Sequence, residues 1–151
     1  MLQISPTLPE LQEIASQLPD RIPYLKMLIL FGSRARGDTH AKSDWDFAAL
    51  YDEQLREASC SDRGFAWFEV PGILSDIFSI NSDEIDVVEL NRCSRLIAHF
   101  IARDGILLYE KDPVEFEKFI KNHLMSDVEL QETESQLRQN INNFLEEWGV
   151  V

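Results

Sequence analysis

Apolar positions along the chain fall into two rhythms, and the rhythm changes at glycines, prolines and acidic clusters. Leu8, Leu11, Ile14, Ala15 and Leu18 recur at helical spacing behind Thr7 and Glu10, which stand three apart as a capping box. An amphipathic helix is therefore predicted, ending near Pro19. From Leu25 to Phe31 the run is apolar except for Lys26, and Gly32 stops it, the mark of a buried strand. A second strand, Trp45 to Tyr51, is entered through Asp44 and Asp46, and a period of two puts both carboxylates on one face with Trp45 and Phe47 on the other. Residues 52 to 64 are charged, small and aperiodic and read as a surface loop, whereas Pro71, Ile73, Leu74, Ile77 and Phe78 mark a short helix.

Glu84 to Leu90 predicts a third strand with Asp86 among Ile85, Val87 and Val88. Asn91 is placed to cap the next helix, which buries Leu96, Ile97, Phe100 and Ile101 and stops at Gly105, before a short strand from Ile106 to Tyr109. Asp112-Pro113 opens another helix, carrying Val114, Phe116, Phe119, Ile120 and Leu124. Ser126 and Glu129 form a second capping box ahead of a long terminal helix. Its stripe of Leu130, Leu137, Ile141, Phe144, Leu145 and Trp148 reads as a docked core face, with an exposed partner surface as the alternative. The sum is an α/β (α+β) fold: a short mixed sheet of about four strands, helices packed on one face, the active site at the open edge of the other. One domain covers residues 1–151, with a core over about 22–125 and a helical extension over about 126–149.

A formal charge of −13 excludes one class of partner, because a nucleic-acid binder needs cations to replace condensed counterions. The same charge would attract a basic protein. Cys60 and Cys93 have no paired spacing that would signal zinc or a disulfide framework. No apolar run approaches membrane-spanning length and the N-terminus is not that of a signal peptide, so a cytoplasmic protein with no membrane partner is expected.

The chemistry lies in Gly32-Ser33, ten intervening residues, Asp44-Trp45-Asp46, and the lone strand carboxylate Asp86. Two carboxylates separated by one strand residue project side by side and can bridge two divalent cations; a third on a neighbouring strand can complete one ion and help take a nucleophile's proton. Hard Mg²⁺ ions require such oxygen ligands. A glycine at a strand's end admits phosphate close to the backbone, and a following serine with free N–H groups can hold phosphate oxygens. Arg34 and Arg36 offer guanidinium forks for the same anion, although one could pair with Asp38 on the surface. Asp86 alternates with Val88 and Leu90 on an otherwise apolar face, where an unpaired buried carboxylate is costly, so a function is expected of it; a partly exposed strand residue, or pairing with Arg95 or Arg103, are the rival readings. His40, His99 and His123 form no cluster. The four fixed Gly, Ser and Asp positions coincide by chance in only about one chain in several hundred at average residue usage.

This pattern resembles the nucleotidyltransferase signature of polymerase-β-like enzymes. Phe31-Gly32-Ser33-Arg34-Ala35-Arg36-Gly37 through Ser43-Asp44-Trp45-Asp46-Phe47, with the stretch from Arg103 to Glu110, is similar to the minimal nucleotidyltransferase (MntA) subgroup in particular. The resemblance covers roughly residues 22 to 125. It implies an antitoxin of the HEPN/MNT class that transfers AMP from ATP to a tyrosine of a HEPN ribonuclease toxin. It further implies catalytic and metal-binding roles for Asp44, Asp46 and Asp86 with two Mg²⁺ ions, and nucleotide contacts for Gly32, Ser33, Arg34 and Arg36. Two rivals share the residues: an aminoglycoside-type nucleotidyltransferase with a small acceptor, and an antitoxin that only sequesters its toxin.

Overall fold

The structure, a computed structural model, describes residues 5–39, 43–60 and 69–149. Helical turns open the chain: α1 (Leu8–Ile14), a tighter turn over Ala15–Gln17, then α2 (Leu18–Arg21). Thr7 Oγ1 accepts from the Glu10 N–H, as the capping box predicts. Pro19 does not end the helical run; it sits in the first turn of α2, where no intrahelical N–H is needed. Strand β1 (Leu25–Phe31) runs into the single turn α3 (Ser33–Arg36), and β2 (Trp45–Tyr51) returns antiparallel to it. Helices α4 (Glu53–Cys60) and α5 (Val70–Phe78) precede β3 (Ile85–Glu89), which pairs parallel with β2. After α6 (Arg95–Asp104), strand β4 (Ile106–Glu110) pairs antiparallel with the other side of β1. Helices α7 (Glu115–His123) and α8 (Asp127–Glu147) follow. The mixed sheet has the order β3-β2-β1-β4.

Helices cover both faces of this sheet, not one. Leu28, Leu30, Phe47 and Ala49 pack with Leu11, Leu18, Leu74 and Phe78, while Met27, Ile29 and Ala48 meet Ala98, Ile101, Ala102 and Phe119. The continuous apolar run of β1 is the cause: a central strand with buried side chains pointing both ways needs cover on both sides.

Four further expectations are corrected. Residues 53–60 form α4 instead of loop; its buried residues are Arg56 and Cys60, one helical turn apart, so hydrophobicity alone did not show the period. The buried Arg56 reaches Glu89 at 2.9 Å and lies 4.3 Å over the Tyr51 ring, which ties α4 to β2 and β3. Asn91 does not cap α6: its amide exchanges two hydrogen bonds with the Tyr51 backbone, and Ser94 caps the helix through the Ile97 N–H. The buried face of α6 is Ala98, His99, Ile101 and Ala102, leaving Ile97 exposed, because small residues let the helix lie close to the sheet. Finally, α8 begins at Ser126 as predicted, with Oγ accepting from the Glu129 N–H, yet none of its residues is buried. Its stripe is the exposed alternative. No described helix is long and apolar enough to cross a membrane.

Candidate active site

The turn after β1 and the start of β2 come together at one end of the sheet. Gly32 has φ +76° and ψ −158°, a backbone conformation essentially confined to glycine. A side chain here would also overlap the Asp46 carboxylate, so the missing Cβ is what brings this backbone against that acid. The Gly32 carbonyl accepts from the Ala35 and Arg36 N–H groups, both at 3.1 Å, and the Ser33 carbonyl from those of Gly37 and Asp38. These bonds fold α3 tightly and leave Ser33 at its first position, where helix N–H groups lack intrahelical acceptors.

Strand register assembles the acids. Phe31 stands opposite Asp46 across the β1–β2 pair, and Asp46 stands beside Asp86 across the parallel β2–β3 pair. Asp44 lies just ahead of β2, two residues from Asp46. Asp46 shares its face with Ala48, so the acids stand on the side that α6 covers, at the open end of the strands and not on an uncovered face. Asp46 is half-buried, Asp44 and Asp86 are exposed. Exposure of Asp86 corrects the argument from burial: its place on an edge strand keeps it wet. Nor does it pair with either suggested arginine, since Arg95 bridges Glu129 and Arg103 bridges Asp104.

The electrostatics single out Asp46. Burial first, then the neighbouring charges of Asp86 and Asp44, push its carboxyl above the usual range, and Arg36 pulls it back. Asp86, Asp44 and Arg36 thus each lie within electrostatic reach of Asp46. Among the described residues no three His, Cys, Asp or Glu side chains form a ready-made metal cage. Like-charged carboxylates without a counterion repel one another; the donor set, all oxygen and under-neutralised, suits a hard divalent cation.

The two arginines have separate settings. Arg34 donates from Nε and Nη2 to the Ser43 carbonyl at 3.1 and 2.8 Å, and its guanidinium lies 4.1 Å over the Trp45 ring. It thereby holds the backbone just ahead of Asp44 and the side chain just after it. Arg36 is exposed and pairs with Asp38 at 3.4 Å, while its charge also reaches Asp46 and Asp104. Asp104, at the end of α6, was not among the sequence-derived candidates; the apolar-run reading of α6 and β4 gave its charge no partner near the turn. His99 is buried, its Nδ1 accepting from the Met125 N–H, and His123 packs on Phe119, so neither joins the acids. His40 lies outside the described residues.

Residues 11–114 match the family described as polymerase beta, nucleotidyltransferase. The chain is 54% identical over 145 residues to the protein adenylyltransferase MntA of Aphanizomenon flos-aquae (strain 2012/KM1/D3), covering 96% of this chain and 97% of the relative. Among solved structures, a crystal structure of a toxin–antitoxin with AMP-PNP is similar with a TM-score of 0.57 and 23% identity, covering 89% of this chain and 97% of that one. A structure of the tri-AMPylated Shewanella oneidensis HEPN toxin in complex with MNT antitoxin is similar with a TM-score of 0.52 and 21% identity, covering 89% and 94%. At such identities the two structures speak to the fold.

Proposed function

Since the chain belongs to the polymerase β nucleotidyltransferases and, within them, to the MntA protein adenylyltransferases, we propose that it is the antitoxin of a HEPN/MNT pair. On this reading it works in the cytoplasm and neutralises a HEPN ribonuclease toxin by transferring AMP from ATP to a tyrosine hydroxyl. The AMP-PNP and the tri-AMPylated toxin of the similar structures support the choice of nucleotide and acceptor. The observation that carries the reading is the register of Asp46 beside Asp86, with Asp44 two residues away and the Gly32 backbone against Asp46.

The reaction joins the tyrosine oxygen to the α-phosphorus of ATP and breaks the bond from that phosphorus to the β-phosphate oxygen, releasing pyrophosphate. The Gly32 backbone and the Ser33 hydroxyl hold the triphosphate at the turn. Asp44, Asp46 and Asp86 would hold two Mg²⁺ ions, which when bound neutralise charge on the phosphates and acidify the attacking hydroxyl. Asp86, an exposed acid beside Asp46, accepts the tyrosine proton on its carboxylate and releases it to water. Arg36 leaves Asp38 to meet charge on the phosphates. Arg34 stays in place, holding the Ser43 backbone and the Trp45 side chain so that Asp44 keeps its position.

The test is labelling of the HEPN protein encoded beside this chain, with α-labelled ATP and magnesium. Label on that protein, abolished by Asp44→Asn with Asp46→Asn, is expected. Neutralisation of the toxin without label would instead mean sequestration, and label on an aminoglycoside but not on the toxin would mean a small acceptor; either result overturns the proposal.

A further inference from the structure

Helix α8 carries an apolar stripe that the described chain leaves open. Leu137, Ile141, Phe144 and Trp148 are 46, 49, 57 and 70% exposed. Their spacing of four, three and four residues places them on one face, and Leu130 extends it two turns toward the N-terminus. The Phe144 and Trp148 rings rest against each other with centroids 5.8 Å apart, so the far end is a joined aromatic ledge. Alongside lies a groove of about 480 Å³ between α6 and α8, lined by Arg95, Glu132, Gln136, Leu137 and Asn140. Leu137 belongs to both, which makes groove and ledge one continuous surface. None of its residues is a member of the acid cluster.

Charge selects the occupant. The helix holds Asp127, Glu129, Glu132, Glu134, Glu146 and Glu147 against the single cation Arg138, within a chain of net charge −13. A second copy would bring a helix of the same strongly negative balance, six acids to one cation, alongside in either direction. The complement is a helix with an apolar stripe bordered by Lys and Arg. We propose that α8 and the groove beside it form the docking surface for the protein acceptor, seating an amphipathic, basic-flanked helix of that partner. This rests on the reading that the acceptor is a protein. Capture through α8 supplies affinity without drawing on contacts at the reacting tyrosine, so the acid end can release each modified residue while the partner stays held.

The experiment uses the full chain and, as probe, the HEPN protein encoded beside it. Because the stripe is exposed, Ile141→Ser with Phe144→Ser and Trp148→Ser should keep the melting temperature and the affinity for an ATP analogue. Affinity for the probe is expected to fall roughly 100-fold, the scale of losing a hot-spot cluster. Glu146→Lys with Glu147→Lys should weaken it about tenfold at low salt and less at high salt. Binding by the triple variant within about threefold of wild type overturns the proposal. So does a dimer of the chain alone that the triple variant converts to monomer, since the stripe would then belong to a second copy. Measuring binding separately from labelling keeps the two readings apart. Tight, α8-dependent binding without label sinks adenylyl transfer alone; efficient label with an indifferent triple variant sinks the docking surface alone.

Discussion

Replacing Asp46 by Asn should make the cation-free protein more stable at neutral pH, although it removes a group assigned to catalysis. Asp46 is half-buried against the Gly32 backbone with Asp86 beside it in register. Burial, then Asp86 and Asp44, raise its carboxyl above the usual range, and Arg36 opposes them. A group that holds its proton more tightly in the folded chain than in the unfolded one contributes stability below its unfolded pKa. That stability is lost as pH climbs through the raised folded value. At neutral pH the fold therefore carries an ionised carboxylate at a cost. Residues in register on neighbouring strands are about 5 Å apart. At an effective dielectric of about 40 to 80 for a partly wet site, two unit charges there repel by about 1 to 2 kcal/mol. With part of this offset by Arg36, the net is about 1 kcal/mol, or about 3 °C in melting temperature for a chain of this size. Thermal melts in a chelator across the acid and neutral range test this. The Asn variant should melt higher at neutral pH, and the gap should close as pH falls into the carboxylate range, where Asp46 is itself uncharged. Added magnesium should raise the wild-type melting temperature and leave the variant nearly unmoved. A variant that melts below wild type at neutral pH, or a gap that ignores pH, refutes the reasoning.

Gly32→Ala should cost about 2 to 4 kcal/mol, combining a backbone conformation reserved for glycine with overlap onto Asp46. Denaturant melts would show that loss, together with loss of AMP transfer; a variant of wild-type stability and activity would remove the close approach from the account. Arg34→Lys keeps the charge but cannot donate twice to the Ser43 carbonyl from a fork stacked on Trp45. It should lower stability by about 1 kcal/mol and adenylylation by about tenfold, and an unchanged rate would show that holding the residues beside Asp44 is dispensable.

Strand chemistry was legible in the sequence because it depends on a period of two. The strict alternation around Trp45 separated Asp44 and Asp46 from Trp45 and Phe47; within β2, Trp45 and Phe47 do pack into one core while Ala48, on the face of Asp46, packs into the other, and Asp44 lies just ahead of the strand. Glycine after an apolar run located the turn at Gly32 for the same local reason. Where a residue's partner is distant in sequence, local pattern lost its power. The helix α4 buries an arginine because Glu89 and the Tyr51 ring are there to receive it, and nothing within residues 53–60 announces either partner. Asn91 has the chemistry of a cap, yet the Tyr51 backbone offers its amide two bonds at once, and the cap falls to Ser94.

Asp86 shows how an expectation can rest on the wrong cause. The expectation that it works at a site came from the cost of burying a carboxylate among Ile85, Val87 and Val88, but this acid is exposed and incurs no such cost. What sets its place is parallel pairing with β2, which puts Asp86 next to Asp46 and lets its charge raise that carboxyl. The penalty therefore falls on the half-buried Asp46, from burial first and then from repulsion by its neighbours, and not on Asp86 as a buried side chain. That difference has a chemical consequence. A desolvated acid is relieved by taking up a proton, whereas a wet cluster of acids can be relieved equally well by a cation, and the cation leaves the carboxylates ionised as ligands. Exposure of Asp86 thus suits the proposed metal-binding role better than burial would, because a site proposed to admit a hydrated ion and a triphosphate together would have to stay open at the strand ends.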